Sequence, residues 1–216
     1  MLGEFFIIQK RVLSLLKGKF RNSDIVLDIG CGEKPYYRQS IKAKIVCVDI
    51  KHTEKTHVVC NAMSLPLKKS KFNGIICINS LYYYSNPFRA VKEFSHILKK
   101  NGKLIIITPF IYPIHDAPDD KHRFTEYGIR NLLKNDFDVK EIKTIGGIFN
   151  IPAVFFHSLI KGIPLLMPNI LRKLVSFLVI IVLYPFYILA QLISLLDFLD
   201  KSRRWPTHYF TVAVRK

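Results

Sequence analysis

The feature that most constrains the fold is a short apolar run that ends at two glycines. Ile25 to Ile29 is apolar apart from Asp28, and the run stops at Gly30, with Gly32 two residues later. This pattern predicts a buried parallel strand followed by a tight turn, where missing side chains let a ligand approach the backbone N–H groups. Open α/β sheets bind ligands at the carboxyl ends of their strands, so Asp28 is expected to face that crevice.

A second strand-like run, Lys44 to Asp49, also ends in an acid. Asp49 follows Asp28 by 21 positions, which is about the ~20-residue offset at which a doubly wound fold places a carboxylate on a ribose. A dinucleotide-binding glycine pattern would need a third glycine where this chain has Pro35. The glycine pattern therefore argues against a dinucleotide.

The motif Asp28-Ile-Gly-Cys-Gly32 resembles the acid-x-Gly-x-Gly motif of the class I S-adenosylmethionine-dependent methyltransferases, with a type 11-like core. The resemblance covers roughly residues 22 to 144 and the last few residues, although Lys34 stands where the motif often has a further glycine. It implies an α/β fold with a doubly wound, Rossmann-like sheet of seven strands, the last of them antiparallel. It also implies S-adenosyl-L-methionine as the cofactor.

The same resemblance implies roles for individual residues around the cofactor. The glycine loop would hold its methionine end, Asp49 its ribose hydroxyls, and Asn61 with Met63 its adenine. Asn61 replaces the usual acid but keeps a carbonyl oxygen that accepts a hydrogen bond. The expected cofactor-binding residues are Asp28, Gly30, Cys31, Gly32, Asp49, Ile50, Asn61, Ala62, Met63 and Ser80.

Further strands and helices are predicted in the order of that fold. We expect an N-terminal helix from Leu2 to Leu16, lying either against the sheet or on a membrane surface. The later elements are a short helix over 36–41, strands at 56–60, 72–80, 103–108, 137–144 and 209–215, a helix over 88–100 and a helix from the N-cap Thr125 to about Lys134.

A long loop follows the fifth strand and contains the candidate catalytic residues. Residues 109–125 include two His, three Asp, an Arg and aromatic residues, and loops beyond ~12–15 residues are usually functional or disordered. His115 and His122 are candidate general bases because an imidazole titrates near neutrality, with Asp116 as the residue that orients one of them. A structural role remains the alternative for each, and Asp119 and Asp120 are expected to be solvated loop acids. The candidate acceptor-binding residues are Tyr84, Tyr112 and Arg123.

About sixty residues, 145–205, interrupt the core before its last strand. Leu174 to Leu196 contains no charged residue over 23 positions, which is long enough to span a bilayer. A single crossing would separate the last strand from its sheet, so the number of crossings must be even or zero. The segment from Ile148 to Leu171 contains three prolines, a lysine and a histidine. We therefore predict an in-plane or re-entrant apolar platform, with a cap on the domain or on a second subunit as the alternative.

Composition indicates anionic partners and a reducing compartment. The net charge is +17, and the scattered cations beside an apolar insertion favour an anionic membrane surface over nucleic acid. The four cysteines have no C-x-x-C spacing, so buried thiols are expected rather than a metal site or disulfides. We predict a cytoplasmic location, peripheral or monotopic on the cytoplasmic membrane face.

These observations predict three parts: an N-terminal helix (1–21), a methyltransferase core (22–144 and 206–216) and an apolar helical insertion (145–205). The predicted function is methyl transfer at a membrane surface to a lipid-linked or glycan-type acceptor. One alternative is a methyltransferase for a soluble substrate, a small molecule or tRNA, with an insertion that forms a homodimer. Another is a membrane-bound Rossmann-like binding protein without catalytic activity.

Overall fold

The structure, a computed structural model, describes residues 6–33 and 35–216, so the first residues of the expected N-terminal helix and Lys34 lie outside it. Seven strands form one sheet in the order β3-β2-β1-β4-β5-β7-β6. They are β1 (Ile25–Ile29), β2 (Lys44–Asp49), β3 (Val58–Val59), β4 (Phe72–Ile78), β5 (Leu98–Pro109), β6 (Phe137–Ile145) and β7 (His208–Arg215). The helices are α1 (Phe6–Leu16), α2 (Pro87–Ile97), α3 (Glu126–Leu133), α4 (Ile151–Gly162) and α5 (Asn169–Ile193).

The sheet has the topology that the sequence predicts. Strands β1 to β5 pair in parallel, whereas β7 lies antiparallel to β5. The predicted seven-stranded, doubly wound sheet with an antiparallel last strand is therefore confirmed. In this order the carboxyl ends of the neighbouring strands β1, β2 and β4 meet at one edge of the sheet, where the loops that follow them come together.

The described chain forms two compact units. The first contains residues 12–110, 114–143 and 208–216, and the second contains residues up to 11, 111–113 and 144–207. The core of the first unit lies between the sheet and its covering helices, where Leu27 of β1, Phe94 of α2 and Leu133 of α3 are fully buried. Burial on both faces explains why the central strands read as continuous apolar runs.

Local capping defines the starts of α2 and α3. The side chain of Asn86 accepts a hydrogen bond from the Arg89 N–H at 3.0 Å, and Pro87 occupies the first turn of α2. At α3, the Thr125 hydroxyl accepts from the Gly128 N–H at 3.1 Å, as expected. Helix α2 ends at Ile97, three residues earlier than predicted, because Leu98 already pairs with Phe72 in the sheet.

Two further predictions are wrong in length. The helix expected over 36–41 is a single 3-10 turn, Arg38–Ser40, and the third strand is only Val58–Val59. These two residues pair with Val48 and Asp49 of β2. The pairing keeps the segment after β3 beside the end of β2.

The second unit is dominated by α4 and α5, which a 3-10 segment (Ile163–Leu166) connects. By length and composition alone, two segments of the described chain could cross a membrane, Ile148–Leu166 and Asn169–Leu199. The first of them overlaps the segment 148–171, whose three prolines, lysine and histidine underlie the expected in-plane or re-entrant platform.

Close packing against a neighbouring side chain requires a glycine at position 74 of β4. A Cβ added there would lie 2.1 Å from Cε1 of Phe20, whose side chain is buried. We expect Gly74→Ala to lower the free energy of unfolding by about 1–3 kcal/mol, as overpacking of a core does. Urea denaturation checks this, with Gly128→Ala as the control, since a Cβ there meets Thr125 Oγ1 at an ordinary 3.5 Å. Equal losses in both variants would contradict the packing argument.

Candidate functional site

The glycine turn after β1 adopts a conformation that other residues rarely take. Gly30 and Gly32 have φ of +73° and +60°. A Cβ on Gly30 would lie 2.4 Å from the Ser80 Cβ, whereas a Cβ on Gly32 would meet no atom within 4 Å. Gly30 is thus fixed by close packing, and Gly32 faces open space that a ligand can enter.

Asp49 connects the end of β2 to this turn. Its Oδ2 accepts the Gly32 N–H at 2.9 Å, and its Oδ1 accepts the Lys51 N–H at 2.9 Å. The carboxylate therefore lies beside the glycine loop, as the resemblance implied for a residue that binds ribose. Ile50, the next residue, is 68% exposed and adds an apolar surface at the same strand end.

The residues expected around the adenine follow β3. The Cys60 N–H donates to the Asp49 carbonyl at 2.9 Å, which holds this segment beside the end of β2. The side chain of Asn61 is exposed, and its Oδ1 accepts the Met63 N–H at 2.9 Å. This oxygen has a second lone pair, so it can also accept the expected hydrogen bond from an adenine amino group. Ala62 is buried beneath it.

Asp28 does not face the crevice as expected, because it is completely buried. The Tyr37 hydroxyl lies 3.0 and 3.2 Å from its two carboxyl oxygens. Burial raises the pKa of Asp28 to about 7, although the Tyr37 hydrogen bond and Arg38 act in the opposite direction. In this structure Asp28 holds the chain that follows the glycine loop, rather than offering a carboxylate to solvent.

Cys31 packs inside the same turn. Its side chain is 4% exposed, and its N–H lies 3.4 Å from the Val48 carbonyl of β2. A hydrogen bond from Cys47 lowers the pKa of the Cys31 thiol. Both thiols are free and buried, so they line the floor of the turn.

Ser80 and Tyr84 support the turn from the end of β4. The Ser80 hydroxyl donates to the Ile29 carbonyl at 2.9 Å, and it lies 3.1 Å from the Tyr84 hydroxyl. Burial raises the pKa of Tyr84 well above its ordinary value. Tyr84, expected to bind the acceptor, is therefore held in a hydrogen-bond network under the glycine turn.

His115 is surrounded by polar groups from two segments. Its Nε2 lies 3.0 Å from the Tyr82 hydroxyl and 3.2 Å from the Tyr83 hydroxyl. Its Nδ1 lies 3.2 Å from Oδ2 of Asp120, and Asp116 Oδ2 lies 3.2 Å from Nε2. The structure thus attaches the loop after β5 to the tyrosines that follow β4.

Asp120, rather than Asp116, is the buried acid of this cluster. Its side chain is fully covered, whereas those of Asp116 and Asp119 are 56% and 75% exposed. The Arg123 guanidinium forms a two-pronged ion pair with Asp120, which lowers the pKa of Asp120. The expectation of a solvated acid fits Asp119 and is wrong for Asp120. The i to i+3 spacing of Asp120 and Arg123 was the available sequence signal.

The other loop candidates are placed differently. His122 Nε2 lies 3.0 Å from the Tyr84 carbonyl, so this nitrogen donates its proton to the backbone. Arg123 stacks over Tyr82 at 5.6 Å from the ring centroid, in addition to its ion pair. Tyr112 is half-buried in the short segment 111–113, which belongs to the second unit. Tyr82, Tyr83 and Asp120 were not among the site residues expected from the sequence.

Comparison with known proteins identifies the domain around this site. Residues 27–106 match the model of a family described as a methyltransferase domain. An uncharacterized protein of Methanocaldococcus jannaschii is 29% identical over 176 residues, which are 76% of this chain and 73% of that protein. The tRNA U34 carboxymethyltransferase of Campylobacter fetus is 26% identical over 138 residues, 56% of this chain. The match to this tRNA-modifying relative spans 47% of that relative's length.

Solved structures share the fold. Geranyl diphosphate C-methyltransferase from Streptomyces coelicolor superposes with a TM-score of 0.58 at 13% identity, covering 96% of this chain and 77% of that one. A SAM dependent methyltransferase from Aquifex aeolicus gives a TM-score of 0.51 at 18% identity, covering 66% of this chain and 85% of that one. At such identities the comparison concerns the fold.

The burial of Asp28 makes stability depend on pH. A carboxyl group whose folded-state pKa is raised from 3.8 to about 7 stabilises the fold most below pH 3.8, and this contribution is lost progressively as pH rises from 3.8 to about 7. Between pH 5 and 8 the loss is on the order of 2–3 kcal/mol for the wild type. We expect Asp28→Asn to remove that part of the pH dependence, measured by urea denaturation at both pH values. An identical pH profile in the two proteins would show that Asp28 ionises normally.

Proposed function

We propose that this chain is a class I S-adenosylmethionine-dependent methyltransferase that methylates a hydroxyl or amine group, with His115 as the general base. The observation that carries the proposal is the position of His115. It bonds to Tyr82 and Tyr83, which follow within three residues of Ser80, the residue that packs against Gly30. The base is thus attached to the strand end that supports the glycine loop.

The residues at the sheet edge fit the cofactor. Gly32 leaves open space in front of its backbone, Asp49 presents a carboxylate beside it, and Asn61 retains a free lone pair. S-adenosylmethionine supplies a methyl group on a positively charged sulfur, which is reactive toward a nucleophile. The contribution of this chain is to align the acceptor and to take up its proton.

The hydrogen bonds of His115 suit a base. Asp120 is kept ionised by Arg123 and accepts from Nδ1, so in a neutral imidazole the lone pair is on Nε2. That nitrogen lies 3.0 Å from the hydroxyl of Tyr82, which donates to it, whereas the Tyr83 hydroxyl donates to Asp116 Oδ2. An acceptor O–H or N–H that takes the place of the Tyr82 hydroxyl would pass its proton to Nε2 as the acceptor is methylated.

Two acceptor classes are supported by different observations. The name of the Campylobacter fetus relative favours a tRNA acceptor, and a net charge of +17 suits a polyanion. The exposed apolar helices α4 and α5 favour an acceptor presented at a membrane, such as a lipid-linked glycan. The comparisons favour the first class, that of a soluble acceptor.

Labelled methyl transfer distinguishes the acceptors. The purified chain is incubated with methyl-labelled S-adenosylmethionine and, separately, with bulk tRNA and with a membrane lipid extract. Label in the tRNA supports the soluble acceptor, and label in the extract supports the lipid-linked one. A chain that labels neither these nor a pool of small metabolites, while still binding S-adenosylhomocysteine, would contradict the proposed catalytic function.

Substitution of the loop residues tests the base. We expect His115→Gln to reduce turnover by about 10²–10⁴-fold, as loss of a general base does, with S-adenosylhomocysteine affinity unchanged. Asp120→Asn should reduce turnover more than Asp116→Asn, because Asp120 is the buried partner of Nδ1. His96→Gln, in the last turn of α2, is the matched histidine control. If His115→Gln turns over like this control, His115 is not the base.

A further inference from the structure

Helices α4 and α5 form an antiparallel pair, here called the apolar hairpin (residues 148–199). The rings of Phe156 and Phe186 stack with centroids 5.8 Å apart. At the other end of the pair, the Ser194 hydroxyl donates to the Phe149 carbonyl at 3.3 Å. The end of α5 therefore returns to the start of α4, and residues 163–168 form the tip.

Large apolar side chains are exposed on most of the circumference of α5. In this helix Tyr187 and Ala190 are buried, whereas twelve large apolar residues are exposed. Three of these, Ile180, Ile181 and Val182, are consecutive, and successive residues of a helix point about 100° apart. The exposed apolar surface thus extends over most of the circumference of the helix instead of forming one stripe, and the remaining side holds the buried Tyr187 and Ala190. A helix that is apolar nearly all round lies in the core of a large protein or in a membrane.

The length and the flanking charges fit a bilayer. From Leu174 to Leu196 no residue is charged over 23 positions, which is about 34 Å of helix against a hydrocarbon core of about 30 Å. Cations stand at the tip end, at Arg172 and Lys173. The opposite end carries Lys201, Arg203, Arg204 and the half-exposed Trp205. Cations at both ends of an apolar helix, and a tryptophan at one of them, are typical of headgroup regions.

The two ends of the hairpin lie together. The Thr207 N–H donates to the Ile145 carbonyl at 3.2 Å, and the Ile148 N–H donates to Asp200 Oδ2 at 3.1 Å. The chain therefore leaves and returns at one point. This satisfies the requirement of an even number of crossings, since β6 and β7 belong to one sheet.

We propose that the apolar hairpin inserts into a lipid bilayer as two antiparallel helices, with the tip directed toward the far headgroups. This replaces the in-plane platform expected from sequence. A helix lying in the interface needs a polar face, and the exposed part of α5 between Leu174 and Leu196 has no charged residue. The proposal does not depend on which acceptor is methylated.

The test is extraction of the full-length chain from membranes. After expression, the membrane fraction is washed with alkaline carbonate, which removes peripheral proteins. We expect the chain to stay in the pellet and to require detergent for release. A chain released by carbonate, or one that is a monodisperse dimer in detergent-free buffer, would overturn the proposal.

Two double variants keep the test specific. Phe177→Asp with Ile181→Asp places charges one turn apart on α5, where both side chains are more than half exposed. Phe88→Asp with Tyr127→Asp changes exposed aromatic residues of the first unit. We expect the first pair to decrease the carbonate-resistant fraction at least tenfold and the second to leave it unchanged. Binding of S-adenosylhomocysteine by both variants shows that they fold, and equal retention of both would contradict insertion.

Discussion

The hydrogen bond from the Gly32 N–H to the Asp49 carboxylate joins the two strand ends on which the candidate site depends. It requires a backbone with positive φ at Gly30 and Gly32, and it requires β1 and β2 to be parallel neighbours. Ser80 then fills the space that the missing Cβ of Gly30 leaves. Three successive strand ends thereby form one ligand-facing edge, as in other open α/β sheets.

The sequence predicted the sheet well because its signals are local. Apolar runs, glycine turns and the caps at Asn86 and Thr125 each determine structure within a few residues. It predicted less of the site because side-chain partners come from distant segments. Asp28 is the acid of the glycine motif, but only the folded structure shows that the Tyr37 hydroxyl bonds to its carboxyl group. Likewise, the sequence predicts that Asp120 is a solvated loop acid, whereas in the structure its carboxylate contacts both His115 and Arg123.

The chain combines two surfaces of opposite chemistry. The loop after β5 is polar and is held by ion pairs and tyrosine hydroxyls. The apolar hairpin has an uncharged run of 23 residues, and α5 exposes apolar side chains over most of its circumference. Water stabilises the first surface and destabilises the second. The membrane proposal follows from that contrast, whereas the methyltransferase assignment rests on the sheet edge and on the family match of residues 27–106.

Calorimetric titration with S-adenosylhomocysteine tests the central claim, that the sheet edge at Gly32 and Asp49 binds the methyl-donor cofactor. We expect the wild type to bind, and we expect Asp49→Ala to lose at least tenfold in affinity, because both the glycine-loop contact and the ribose partner are removed. Asp138→Ala, on the exposed face of β6, is the matched control and should bind like the wild type. A folded wild-type chain that gives no binding, or an Asp49→Ala variant that binds equally well, would contradict the account.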